Sequence, residues 1–403
     1  MLSRRQFVCG CAAFAAAAAR FPRTGWCSAG GSLEERMERA LTDATNYLAG
    51  GQATDGSWRS EIYGPFKDGP SLTSLIAATF AGQSNNSAGH VALAKAAQYF
   101  TDLVQQDGSI DAGPDGITYP VYVAAGAAIT LTRLDNAKYS AARDAWIRYL
   151  RARQLTEELG WQSSDLSYGG WSYAPSPPTP VDGKPRSPLA VPNLSATVFA
   201  LTALRTAGVP ANDLAIEKAR VFVERCQNWS EDPNARDAEF DDGGFFFIME
   251  DPVRNKAGER GLDLHGRVRY ASYGSTTADG FRALLACGQK ATDSRVAAAG
   301  RWLASRFSAA EHPGQYAISR EHLRPALFYY YSASVSEALC ISAGGSDAVN
   351  WIEPLSTALL DRQRSDGSWV NAAVDVREDD PLVATPLAMR ALHYCRQALG
   401  DSR

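Results

Sequence analysis

Two kinds of apolar pattern alternate along the chain. From Leu33 to Leu48, apolar side chains fall at Leu33, Met37, Leu41, Ala44, Tyr47 and Leu48, the spacing of one helix face. The same amphipathic period returns over Val91–Val104, Ala141–Leu155, Ala215–Trp229, Val296–Phe307 and Trp351–Gln363. Between these lie Leu72–Phe80, Val121–Leu131, Ala196–Ala207, Ser275–Ala286, Pro325–Ile341 and Ala384–Ala398, small and apolar almost all round. A helix without a polar face has to be enclosed. The alternation therefore predicts an all-α fold of six helical hairpins, with an inner ring of small apolar helices and an outer ring of amphipathic ones. Closing the ring removes the exposed ends that an open superhelical array, the other arrangement of the same pattern, has to cap. Strands are expected only as short pieces on the rims.

The hairpins share a turn. Gln363-Arg364-Ser365-Asp366-Gly367-Ser368-Trp369 is written again as Gln52-Ala53-Thr54-Asp55-Gly56-Ser57-Trp58. Looser versions stand at Asp107-Gly108-Ser109-Ile110, Gly169-Gly170-Trp171, Gly243-Gly244-Phe245 and Pro313-Gly314-Gln315-Tyr316. Taking Gly56, Gly108, Gly170, Gly244, Gly314 and Gly367 as the repeated glycine gives spacings of 52, 62, 74, 70 and 53 residues. Glycine supplies the turn, the aromatic ring plugs neighbouring hairpins, and the glutamine amide reaches a nearby helix end. Gln52, Gly56, Trp58, Gly170, Trp171, Gly244, Gln363, Gly367 and Trp369 are thus structural. Ser71 is the expected N-cap of the second helix, and Asn193 of the sixth. Between Asp165 and Pro192 seven prolines exclude helix, so that loop should cover one rim.

Composition adds limits. A chain of 403 residues with 45% hydrophobic content buries a large core, and a net charge of −4 without basic clusters gives no nucleic-acid partner. The start, Ser3-Arg4-Arg5-Gln6-Phe7-Val8 followed by an Ala-rich run to Ala19, reads as a twin-arginine export signal over residues 1–29. Ala19 and Ala29 are both cleavage candidates. Its loss removes four arginines and no acid, taking the net charge to −8 and the product to the periplasm or beyond. The run is too short to span a bilayer, so no transmembrane segment is expected. Cys226, Cys287, Cys340 and Cys395 remain; export permits disulfides, and buried thiols fit their helical positions equally well.

Gln-x-x-x-Gly-x-Trp followed by a small-residue helix resembles the repeats of the squalene–hopene cyclase and terpene cyclase family. The hairpin count is similar to that of protein prenyltransferase β-subunits. The resemblance runs from Leu33 to Ala398 and implies one α/α toroid domain over residues 33–398, with a central apolar cavity suited to an isoprenoid. The cyclase acid segment Asp-x-Asp-Asp-Thr-Ala is missing. Its nearest matches, Tyr273-Gly274-Ser275-Thr276-Thr277-Ala278 and Leu382-Val383-Ala384-Thr385, lack the aspartates, although Asp279 follows the first and Asp379-Asp380 precede the second. The Asp-x-Cys of the zinc prenyltransferases is absent as well, and no metal or cofactor is implied. Cys287-Gly288-Gln289 departs from a thioester motif.

Candidate catalytic acids are therefore Asp279 and Asp380, since a carboxylic acid in a dry site can protonate an alkene. Tyr119, Tyr122, Tyr270, Tyr273, Ser275, Tyr329 and Tyr330 are expected around the cavity, where aromatic faces stabilise cations; the same tyrosines could instead fill a closed core. The resulting reading is an exported terpene-cyclase-like protein of the isomerase or lyase class, acting on or binding a hydrophobic small molecule. Its alternative is a non-catalytic toroid that binds a lipid, glycan or protein through rim loops such as Asp165–Pro192 and Glu250–Arg269. A glycan-cleaving enzyme is a third reading, because six-hairpin barrels also host paired carboxylates.

Overall fold

The computed structural model describes residues 31–401 apart from 84–85, 112, 115, 238, 250, 264–265 and 343–349. The export signal expected over residues 1–29 lies outside them. Described helices follow in the order α1 (Leu33–Gly50), α2 (Pro70–Ala81), α3 (Ser87–Asp102), α4 (Pro120–Arg133), α5 (Ser140–Arg151) and α6 (Leu194–Thr206), then α7 (Leu214–Arg225), α8 (Gly274–Ala286), α9 (Ser294–Arg306), α10 (Phe328–Ser342), α11 (Ile352–Leu360) and α12 (Pro381–Asp401). Two short antiparallel hairpins, Pro180–Val181 with Lys184–Pro185 and Glu259–Leu262 with Val268–Tyr270, sit in the long rim loops.

The even-numbered helices form the inner ring. Each packs on the next, from α2 on α4 through α10 on α12, and α12 returns to α2, so the circle closes. The odd-numbered helices stand behind them, with α1 and α11 on α12, α3 on α2, α5 on α4, and α9 on α8. Burial separates the classes: eleven of fourteen residues of α4 are buried, against four of twelve in α5. Small residues let the inner helices approach. A Cβ at Gly126 in α4 would lie 2.4 Å from the Ser74 carbonyl oxygen of α2, closer than any side chain tolerates. No described helix is long and apolar enough to cross a membrane.

The repeated turn is a staple with four hydrogen bonds. The indole of Trp58 donates to Leu48 O at 2.7 Å, in the last turn of the preceding outer helix. Its backbone N–H donates to Thr73 Oγ1 in the following inner helix at 2.9 Å. The Gln52 amide donates to Gly56 O and, at 2.8 Å, to Ala92 O of the next outer helix. Trp369, Thr385 and Gln363 repeat the set, with Gln363 reaching Ala40 O of α1 and so tying the last hairpin to the first. Trp58, Trp171 and Trp369 are fully buried, and truncating a buried tryptophan costs ~3–5 kcal/mol.

In the third and fourth turns the register is one residue earlier than the sequence pattern suggests. Gly169 (φ 87°) and Gly243 (φ 84°) hold the left-handed position, matching Gly56 (φ 90°), while Gly170 and Gly244 occupy the place of Ser57. A Cβ on Gly169 would meet the Lys218 carbonyl at 1.9 Å. Their glutamines are Gln154 and Gln227, which bond Gly169 O and Gly243 O across insertions that hide the spacing. Asn193 caps α6 through Ala196 N–H as expected. Ser71 does not cap α2: Gly69 holds that position, and the Ser71 hydroxyl turns to Thr118 O. Cys226, Cys287 and Cys395 are buried thiols.

Candidate functional site

The inner ring encloses a cavity of about 610 Å³, within the ~300–1,000 Å³ typical of ligand pockets. Its apolar wall includes Leu72, Leu75, Ile129, Phe199 and Leu387, one or two from each of several inner helices. Tyr119, Tyr122, Tyr273, Ser275, Asp279 and Tyr330 line it too. All but Asp279, one turn further along α8, lie in the first turns of α4, α8 and α10 or just before them, on the rim where the staples lead into the inner ring.

Three expected residues lie elsewhere. Tyr329 precedes Tyr330 by one position, which is 100° around a helix. Its hydroxyl donates to Val370 O at 3.2 Å and its ring packs on Phe328. Tyr270 sits at the end of a rim strand, its ring 5.4 Å from that of Phe246. Asp380 caps α12, accepting from Leu382 N–H at 2.9 Å and from the Ser60 hydroxyl at 2.5 Å. Both its oxygens are committed to structure, and it does not line the cavity.

Asp279 is different. It is 1% exposed, on the second turn of α8, and each carboxylate oxygen meets a donor. Oδ1 accepts from Arg282 at 2.9 Å, one turn further along the same helix, and Oδ2 accepts from the Tyr330 hydroxyl at 2.7 Å. Burial pushes its carboxyl above the ordinary aspartate value, against the pull of Arg282 and of the Tyr330 and Ser334 hydroxyls.

From Tyr330 a line of hydroxyls crosses the wall. Ser195 Oγ is 2.5 Å from the Tyr330 oxygen, Tyr122 donates to Ser195 at 2.8 Å, and Tyr173 is 3.0 Å from Tyr122. Since Tyr330 spends its one proton on Asp279, Ser195 must donate to Tyr330, and Tyr173 to Tyr122. The whole line is directed at the carboxylate. Burial raises all three phenols, Tyr173 to about 12 and Tyr122 and Tyr330 well above the usual tyrosine value, so they are neutral at ordinary pH.

Beyond Asp279, toward the C-terminal ends of the inner helices, Arg282 bridges to Glu337 at 2.9 Å, and Arg390 meets Glu337 at the same distance. Burial pushes the Glu337 carboxyl up, but the two guanidinium groups outweigh it and hold the group below its usual value. At the start of α8, His312 Nε2 accepts the Ser275 N–H at 2.8 Å. That fixes the proton on Nδ1, facing the Tyr316 hydroxyl at 3.0 Å. Burial first, then Arg324, lowers His312 to about 3.

Sequence reasoning missed Tyr173, Ser195, Arg282, Glu337 and Arg390, together with Arg254, Lys256 and Arg377 in the rim loops, all of which line the cavity. The available signal was charge inside helices that are otherwise small and apolar. Among the described residues, no cluster of three His, Cys, Asp or Glu side chains is placed to hold a metal.

A scan against protein-family models gives no match, and neither does a search of curated proteins. Solved structures do match. The type II terpene cyclase MstE from Scytonema, in complex with geranylgeranyl dihydroxybenzoate as substrate, superposes with a TM-score of 0.56 at 12% identity, over 91% of this chain and 98% of that one. A cellobiose 2-epimerase from Spirochaeta thermophila gives 0.59 at 13%, over 92% and 97%. An unsaturated glucuronyl hydrolase specific for heparin gives 0.56 at 11%, over 92% and 98%. The fold is thus an α/α toroid of the kind shared by terpene cyclases and carbohydrate-active enzymes.

Proposed function

We propose that the protein takes a hydrophobic isoprenoid into its central cavity and acts on it by proton transfer at Asp279, as a terpene-cyclase-like enzyme of the isomerase or lyase class. The carrying observation is the buried Asp279 carboxylate at the end of a one-way line of hydroxyls, in a wall that also presents aromatic and aliphatic side chains. A proton entering at Tyr173 is passed through Tyr122, Ser195 and Tyr330 and leaves Asp279 neutral. Beside the Arg282 cation a neutral Asp279 is a strengthened acid. It adds the proton to an alkene, aromatic faces such as Tyr122, Phe199 and Tyr273 stabilise the carbocation, and the Asp279 carboxylate left behind takes back a proton from a neighbouring carbon, restoring a double bond. Protons balance, and no cofactor enters. Support for an isoprenoid also comes from MstE, whose complex holds a geranylgeranyl compound in the same fold.

Binding without turnover is the second reading. The observation in its favour is that Arg282 and Tyr330 already occupy both Asp279 oxygens. A glycan-cleaving site is less well supported, because Glu337, the second carboxylate on the Arg282 side, is clamped between two arginines. The test is incubation of the purified protein with squalene and with geranylgeraniol in deuterium oxide, with products read by mass spectrometry. Deuterated cyclic or isomerised product is expected, falling ~10²-fold or more in Asp279→Asn. Equal product from the two proteins removes Asp279 from the mechanism, and bound but unchanged ligand supports the second reading.

A further inference from the structure

Positive charge at the rim end of the cavity is only partly answered among the described residues. Arg254, Lys256 and Arg377 line this end, from the loops that lead into α8 and α12, with Asp375 among them. Arg254 donates through Nε to Asp251 Oδ2 at 2.7 Å, but its Nη1 and Nη2 are buried and hydrogen-bond to nothing among the described residues. The Lys256 ammonium likewise makes no hydrogen bond or ion pair with them. Burial, then Arg320 and Arg254, pushes its amine below the usual lysine value, against the smaller pull of Asp375 and Asp251. Arg377 spends Nη1 on the Tyr119 hydroxyl at 2.7 Å and lies over the Phe66 ring at 5.0 Å.

The backbone is strained at the same place. Arg377 (φ 70°) and Tyr119 (φ 55°) both hold the left-handed conformation, and they touch each other. Strain of this kind is held where the surrounding structure uses it. Arg254 is paired with Asp251 on one side only. An unpaired guanidinium edge and an ammonium without a hydrogen bond among the described residues are unfavourable beside an apolar wall. A ligand with an anionic head removes that cost: the bare Nη1–Nη2 edge of Arg254 matches two oxygens of one group, and Lys256 adds a point charge.

We propose that this end of the cavity binds the oxyanion head, a carboxylate or a phosphate, of a ligand whose apolar chain lies between the inner helices. The inference rests on the isoprenoid-cavity reading and names its substrate class: an isoprenoid acid or phosphate. Arg254 acts electrostatically on Tyr173, the outer end of the hydroxyl line. A head held there leaves the chain running past Tyr330 and Asp279, so the anchor sets which double bond meets the acid.

The test is isothermal titration of the full chain with three probes that share one C15 chain: farnesol, farnesoic acid and farnesyl monophosphate. At least one anionic probe is expected to bind about ten-fold tighter than farnesol, and the tighter of the two names the head. Lys256→Met and Arg254→Met should each remove most of that preference, read as the ratio of anionic-probe to farnesol affinity in the same variant, and Lys256→Arg should retain it. Circular dichroism of each variant establishes that the fold is intact. Equal affinity for all three probes overturns the anionic head and leaves the apolar cavity reading standing. Failure of every probe to bind overturns the cavity reading, and this inference with it.

Discussion

Two groups of arginines border one cavity and meet opposite treatment. Toward the C-terminal ends of the inner helices, Arg282 and Arg390 are answered by Asp279 and Glu337, each contact 2.9 Å long. At the rim, Arg254 is paired through Nε with Asp251, but its Nη1–Nη2 edge and the Lys256 amine have no hydrogen-bond partners among the described residues. The first group sits on helices, where the ring fixes position and neighbours can be matched in advance. The second sits on loops, where a partner from outside can be admitted. The difference teaches that a charge in a toroid wall can have two uses: paired charge joins adjacent helices, and unpaired charge, on our proposal, receives a ligand.

The largest effect that tests this contrast is at the paired end. Arg282→Met leaves Asp279 and Glu337 facing each other across the wall with one guanidinium fewer, a loss expected to lower unfolding free energy by ~3–5 kcal/mol. Urea denaturation at neutral pH measures it. The deficit should shrink in acid, since protonating the two carboxyls removes the uncompensated charge. A loss below about 1 kcal/mol, independent of pH, would mean that the network is no lock, and the contrast would fail at its stronger side.

A smaller effect concerns α8, the helix that serves both ends. His312 accepts the Ser275 N–H only when neutral. Its folded-state value of about 3 lies below the unfolded ~6.5, so its contribution is complete above pH ~6.5 and is lost as pH falls toward 3, by ~1.4 kcal/mol per unit. Between pH 6.5 and 5 the wild type should therefore lose about 2 kcal/mol more than His312→Gln. Matching profiles for the two proteins would show that Ser275 finds another partner, and that α8 is not held by a neutral ring.

Much of the ring was legible because its signals are local. Helical period and the absence of a polar face are properties of a dozen consecutive residues, and they place α4 inside and α5 outside without tertiary knowledge. The two intact staples were legible for the same reason. Gln154 and Gln227 were not, because the loops between glutamine and glycine had grown by insertion while the three-dimensional contact stayed fixed. At the site, Asp279 stood out as an acid in an apolar helix, yet nothing local separated it from Asp380, whose capping bonds to Leu382 and Ser60 exist only once two distant segments meet. Tyr329 and Tyr330 likewise differ only by rotation about α10, and which of the pair faces inward depends on how that helix seats against α8 and α12.

The smallest expected effect is the most informative about the rim. Lys256 shares the rim with Arg254, and removing a partly buried ammonium that makes no hydrogen bond among the described residues relieves a desolvation cost without breaking any contact seen there. Lys256→Met keeps the length of the side chain and its apolar stem, so packing at the rim is preserved. The variant should unfold within about 0.5 kcal/mol of the wild type, shifted toward greater stability, in the same urea measurement in which Arg282→Met loses several times more. Because the amine is held below its usual value by burial and by Arg320 and Arg254, any gain should fade as pH rises and the wild-type lysine itself becomes neutral. A loss of 2 kcal/mol or more would mean that Lys256 is tied into the fold as firmly as Arg282. The rim would then be a second lock rather than a berth for an anion.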